Sequence, residues 1–192
     1  MTTTNSVNVT LAGQTGTGNF VGSDSPTLTT PILGAATATS VTFSPTTGGI
    51  VGTTTNDSAS AGFVGEYIYS NLPYASSVTP ASSSTPSNVT SISLTAGDWD
   101  VSGSLSFIGT GATTLTFALC TISTTSTGQQ DPSENTYGAP TTLSSSSTNF
   151  SLSSPQLRVS ISSTTIIYLN CAVLYTGSAI DICGIISARR AR

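Results

Sequence analysis

The chain has 192 residues, with 36% in the hydrophobic class, 6% charged and a formal net charge of −4. That apolar content suits a folded domain rather than a disordered polar chain, and Ser and Thr, more than a third of all residues, stand where charge is usual. His and Lys are absent, which excludes a Ser-His-Asp triad, a His-ligated metal, a Lys Schiff base and a Walker lysine; no cofactor or metal is expected.

Residues 1–61 carry short apolar pairs, Phe20-Val21, Ile32-Leu33 and Ile50-Val51, between spacers rich in Gly, Pro and Thr. No amphipathic helix fits them, and such a stretch cannot bury a core by itself. It can be ordered if several copies wrap about one another and bury those pairs along a shared axis. This reading makes it an extended N-terminal shaft or attachment segment, with Phe20, Val21, Ile32 and Leu33 as the docking side chains. The first residues have neither a basic nor an apolar region of the secretory kind, and no apolar run approaches the ~20 residues that cross a bilayer. Neither export nor membrane insertion is expected.

From residue 62 the pattern has period two. Ile92 and Leu94 alternate with Ser, and Trp99, Val101, Leu105 and Phe107 alternate with Asp100, Ser102, Ser104 and Ser106, the mark of half-buried strands. Leu115, Phe117 and Leu119 read as one face of another strand, as do Leu157, Val159 and Ile161. Residues 166–175 are apolar on both faces except at Asn170, which predicts a central strand with core on one side and a neighbouring subunit on the other. A last strand over residues 180–188 places Ile180, Ile182 and Ile186 together. Turn residues such as Ala96-Gly97-Asp98 and Thr176-Gly177-Ser178 fall between these segments. Strands at this spacing without a helix predict an all-β fold, in which residues 62–192 form an antiparallel β-sandwich of jelly-roll type.

Cys120, Cys171 and Cys183 show neither zinc spacing nor a CxxC pair, and each lies in an apolar strand context. They read as buried, reduced thiols, consistent with synthesis in a reducing cytosol. Arg189, Arg190 and Arg192 crowd the final residues and read as a charged end that keeps the last strand soluble, or as an anion- or partner-docking tail. No other basic cluster exists, so nucleic acid is not an expected partner.

Three groups of residues merit attention as sites. Asp98 and Asp100 flank Trp99 on one strand face, the arrangement a glycoside hydrolase would need of two carboxylates; a strand-opening turn, which favours Asp, is the reading preferred for them. Residues 123–147 form the longest polar insertion, and in it Asp131, Glu134 and Tyr137 could contact sugar hydroxyls from a loop on a rigid scaffold. Residues 72–87, with Pro73, Tyr74, Pro80 and Pro86, read as a second loop.

Two stretches resemble tailed-bacteriophage fibre proteins. The phrases GTGNFV and SPTLTTPILG, within residues 11–43, resemble the shaft-like segment of such fibres. NVTSISLTAGDWDVSG at residues 88–103, with GIISARRAR at the close, resembles a domain found at the ends of phage and prophage fibre-like proteins. The resemblance implies a homotrimeric virion fibre or spike, made in the host cytoplasm. Its N-terminal segment would join other virion proteins of tail, collar or capsid, and its C-terminal knob would meet a host surface glycan or protein. A head fibre or capsid-decorating trimer satisfies the same resemblance, and a small polysaccharide hydrolase is the reading from another class.

With so few charges to screen, any assembly of this chain should be insensitive to salt. Light scattering is expected to return the same mass at low salt and in ~1 M NaCl.

Overall fold

A computed structural model of the chain describes residues 54–138, 140–143 and 149–192. Phe20, Val21, Ile32 and Leu33 lie outside the described residues. Among the described residues ten strands follow one another: β1 (Tyr67–Leu72), β2 (Ser83–Leu94), β3 (Gly97–Gly109), β4 (Thr113–Ser123), β5 (Thr136–Gly138), β6 (Thr141–Leu143), β7 (Asn149–Ser153), β8 (Leu157–Ile161), β9 (Thr165–Gly177) and β10 (Ile180–Arg190). Helix among the described residues is confined to 3-10 turns at Tyr74–Ser76 and Pro132–Glu134.

The strands form two antiparallel sheets. In the first, β10 lies between β1 and β3, and β7 and β8 share the far edge of β3, pairing with Ser104–Ile108 and Gly97–Val101 respectively. In the second, β9 lies between β2 and β4, while β5 and β6 share the far edge of β4. First strand thus pairs with last, second with second-last, and third and fourth with the broken strands between. A long antiparallel ribbon rolled up in this way is a jelly roll, and the expected all-β sandwich is present.

The core lies between the sheets. Trp99, Val101, Leu105 and Phe107 of β3 and Ile180, Ile182 and Ile186 of β10 face Leu94 of β2 and Ile167, Leu169 and Val173 of β9. Each such side chain stabilises the fold by roughly 1.5–3 kcal/mol relative to exposure. Gly103 occupies an inward position of β3 because Leu169 presses there: a Cβ at residue 103 would lie 2.6 Å from Leu169 Cδ1. Outward, β3 and its neighbours carry paired serine hydroxyls, Ser102 with Ser187 at 3.4 Å, Ser104 with Ser153 at 3.3 Å and Ser106 with Ser151 at 3.1 Å. Hydroxyls cover this face where charges commonly would.

Four sequence expectations change. Leu115, Phe117 and Leu119 do not share a face, because an irregularity between Leu115 and Phe117 resets the alternation. Beyond it Ala118, Cys120 and Ile122 enter the core with Leu115, and Phe117 instead meets the Tyr137 ring at 5.9 Å. The loop read over residues 72–87 is shorter, since β2 begins at Ser83 and contains Pro86; β2 is an edge with register shifts between Ser83 and Ser87 and between Asn88 and Thr90, where proline is tolerated. The insertion over residues 123–147 is not all loop, for β5 and β6 pair with β4. The fourth change concerns the arginines at the close of the sequence.

Arg190 is not a solvated chain end. It is an inward residue of β10, 5% exposed, directly opposite Trp99 in the register. Its guanidinium carbon sits 4.2 Å from the centroid of the Trp99 ring. Nε donates to Glu66 Oε2 at 2.9 Å, Nη1 to the Ala96 carbonyl at 2.9 Å and Nη2 to Thr95 Oγ1 at 2.6 Å. Glu66, also buried, accepts a second bond from the Gly62 amide at 2.8 Å. That amide, with burial opposing it and Arg190 adding to it, holds the Glu66 carboxyl below its usual range. Gly97, at φ +147°, completes the arrangement, because a Cβ there would collide with Arg190 Nη1. Arg189 lies over the Tyr67 ring at 5.6 Å, and Arg192 pairs with Asp98 at 2.8 Å.

Cys120 and Cys171 are free and buried, facing each other across β4 and β9, and burial pushes both thiols up to about 12. Cys183 is free and half-buried. The expectation of reduced thiols agrees with this geometry.

Removing one member of a buried pair strands the other charge away from water, at a typical cost of about 3–5 kcal/mol. Arg190→Ala is therefore expected to lower the unfolding free energy by about 3 kcal/mol or more, read from the urea midpoint at constant slope.

Candidate surface-contact site

The outer face of the second sheet holds the residues picked out for contact. Asn170 points outward from β9, opposite Thr121 of β4, yet both are fully buried. The covering comes from the chain itself: Asn170 Nδ2 donates to the carbonyls of Thr125 and Gly128 at 3.0 and 2.9 Å, and the Gln130 amide donates to Thr121 Oγ1 at 3.4 Å. The segment after β4 thus folds back over its own sheet and buries Asn170, on the face of β9 where a neighbouring subunit was expected. Ile166 and Leu174, further along the same outward row, remain exposed.

That folded-back segment leads to the predicted triad. Asp131 caps the 3-10 turn Pro132–Glu134, its Oδ1 accepting from the Ser133 amide at 2.9 Å and the Ser133 hydroxyl at 2.7 Å. Those two bonds hold its carboxyl below the usual range. Asn135 Nδ2 donates to the Gln130 carbonyl at 3.1 Å and to Tyr137 Oη at 3.3 Å, and Gln129 Nε2 reaches the same hydroxyl at 3.2 Å. Tyr137 is exposed and leans on Phe117. Glu134 is half-buried at the end of the turn. The three side chains therefore belong to one ordered surface segment, in which Asp131 has a local structural task and Tyr137 offers an aromatic ring to solvent. Asn135 Oδ1 and Asn170 Oδ1, beneath this segment, are buried acceptors to which no described protein group donates.

Asp98 and Asp100 occupy outward positions of β3 on one face, as expected, with Trp99 fully buried between them. The Asp98 carboxylate is engaged by two guanidinium groups. Arg158 of β8 binds it through Nε at 2.8 Å to Oδ1 and through Nη2 at 2.6 Å to Oδ2, and Arg192 Nε lies 2.8 Å from Oδ2. Its pKa is lowered chiefly by the Arg158 hydrogen bonds, with burial opposing and the charges of Arg158 and Arg192 assisting. A carboxylate clamped in this way orders two strands and the chain end. No local pattern pointed to it, because Arg158 lies sixty residues away and meets Asp98 only through the β3–β8 register, Asp98↔Ser160 and Asp100↔Arg158.

No protein-family profile matches the chain, and no curated protein does. Among solved structures, a chain from the structure of infectious bursal disease virus Gx strain is similar at 13% identity, over 65% of this chain and 29% of that one, with a TM-score of 0.36. This chain spans less than a third of the length of the chain it matches.

The lowered Asp98 pKa has a definite sign in stability. An ionised Asp98 stabilises the fold fully above the unfolded carboxylate pKa of about 4, and that contribution is lost as pH falls through the lower folded value. Asp98→Asn should be less stable than the natural protein near neutrality and lose less on acidification below about pH 4. Parallel acid-unfolding curves followed by Trp99 fluorescence check this.

Proposed function

We propose that the chain is a structural protein of a bacteriophage virion, a short homotrimeric fibre. In it residues 1–61 form the attachment and shaft segment, and the jelly roll is the knob that contacts the host surface. One observation carries the reading furthest. The two stretches that resemble the terminal domain of phage fibre-like proteins, residues 88–103 and the closing GIISARRAR, lie far apart in sequence but side by side in the fold. Arg190 pairs with Trp99, Arg189 with Asp100 and Ala188 with Val101. The same stretches supply Gly97, Trp99, Arg190 and the Asp98–Arg192 pair. The resemblance therefore falls on the residues that hold the domain closed, which is where a shared architecture would constrain sequence.

The rest of the surface suits a particle component. Outward strand positions carry hydroxyls, and Tyr137 with Glu134 forms the part of the folded-back segment open to a host glycan or protein. The chemistry assigned to the chain is packing, symmetry and surface contact, without catalysis.

Light scattering on the full chain is expected to give three times its 19.3 kDa mass, and images of intact particles to place the knob on the tail. Knob density on the head, with no binding of the purified protein to host cells, would replace the tail fibre with a head fibre or decorating trimer. Hydrolysis of host polysaccharide that is lost in Asp98→Ala or Glu134→Ala would overturn the non-enzymatic reading.

A further inference from the structure

Among the described residues two buried side-chain oxygens receive no hydrogen bond from a described protein group, Asn135 Oδ1 and Asn170 Oδ1. Both lie under the segment that folds back after β4. We propose that they hold one water molecule between them, bound between the outer face of the second sheet and that segment. This site belongs to the domain itself and does not depend on the trimeric reading.

The register brings the two asparagines to one place. Asn170 of β9 is opposite Thr121 of β4. On the other edge of β4, Thr136 of β5 is opposite Cys120, so Asn135, extended at φ −106° and ψ 154°, comes level with Thr121. Its bond to Tyr137 Oη at 3.3 Å keeps its side chain on the outer face. Asn135, Thr121 and Asn170 thus form a row across three neighbouring stretches of chain, spaced as strands are, at ~4.8 Å. Thr121 and Asn170 are fully buried, and Asn135 is 9% exposed.

The direction of each amide is set by its other end. A carbonyl oxygen only accepts, so the group of Asn170 that meets the Thr125 and Gly128 carbonyls, at 3.0 and 2.9 Å, is its NH2. The same holds for Asn135 against the Gln130 carbonyl at 3.1 Å. Neither side chain can turn over without setting oxygen against oxygen. Both Oδ1 atoms are therefore committed to accepting, and a buried acceptor without a donor bears its full desolvation cost.

Water is the donor that fits. It carries two hydrogens for two acceptors, and its own oxygen can accept from the Thr121 hydroxyl, which receives the Gln130 amide at 3.4 Å. That makes about three bonds, the usual number for a buried water. The oxygens of the row are neutral amides and a hydroxyl, so a cation among them would be buried without counter-charge, at a far larger cost. A water on Oδ1 also fixes the Asn135 amide, whose Nδ2 holds the hydroxyl of Tyr137. The exposed ring of the segment is in this way steadied from beneath.

Long-lived waters in the full chain are counted by oxygen-17 relaxation dispersion in the natural protein, Asn135→Leu, Asn170→Leu and the double variant. Ser133→Ala, which alters the same segment away from the row, is the control, and circular dichroism checks each fold. Each Leu variant and the double are expected to lose the same single water, and the control none. Two waters lost in the double, one for each asparagine, overturn the shared site. No loss in folded variants, or an equal loss in the control, overturns the assignment to this row. If the Leu variants do not fold, a crystal structure of the natural chain at about 1.2 Å resolution decides. A water within about 3.2 Å of both Oδ1 atoms supports the site; no peak there, or one with the ~2.3–2.6 Å contacts of a bound cation, overturns it.

Discussion

The buried cation of Arg190 organises this domain. A guanidinium taken out of water is tolerable only when its charge is balanced and its donors are filled. Here Glu66 balances it, Ala96 and Thr95 accept from it and Trp99 lies beneath it. Each partner belongs to a different part of the chain: the turn before β1, the turn before β3, and β3 itself. One side chain thus joins the start of the domain, its central hairpin and its last strand. The glycine at residue 97 exists to leave it room, and the turn at residues 62–66 takes its shape from the carboxylate that answers it.

What the sequence revealed followed from periodicity, and what it concealed followed from departures from periodicity or from distant partners. The alternation in β3 and the isoleucines of β10 identified a third of the core directly. β4 misled because one irregularity after Leu115 moved Phe117 and Leu119 to the outer face, and an extra residue in a strand leaves no mark in hydropathy. Pro86 reads as loop in any local scheme, but an edge strand has an open side on which a missing N–H costs nothing. Three arginines near the close of a sequence look solvated because nothing nearby can neutralise them; their partners, Glu66, Asp98 and Tyr67, lie ninety residues or more away.

The surface was legible in the same uneven way. Serines between apolar residues were readable as the outward face, and the hydroxyl pairs of β3, β7 and β10 fulfil that. The segment holding Asp131, Glu134 and Tyr137 was recognisable as an exposed feature on a scaffold. Its second task, roofing over Asn170 and Thr121, was not, because a polar residue in an apolar run admits several kinds of cover and only the fold selects one.

The pairing of the first strand with the last sets an order of events during synthesis. β1 stays without its partner until β10 has been made, and neither half of the first sheet can close around Trp99 before Arg190 leaves the ribosome. At about 5–20 residues per second, synthesis from the start of β1 to the end of β10 takes roughly 6–25 s, and throughout it the domain is still open. A chain cut short before Ile180 would lose the strand between β1 and β3 and the cation of Arg190, leaving both strands without their shared partner. Synthesis of β10 is therefore the switch that turns this sequence from an association hazard into a folded unit.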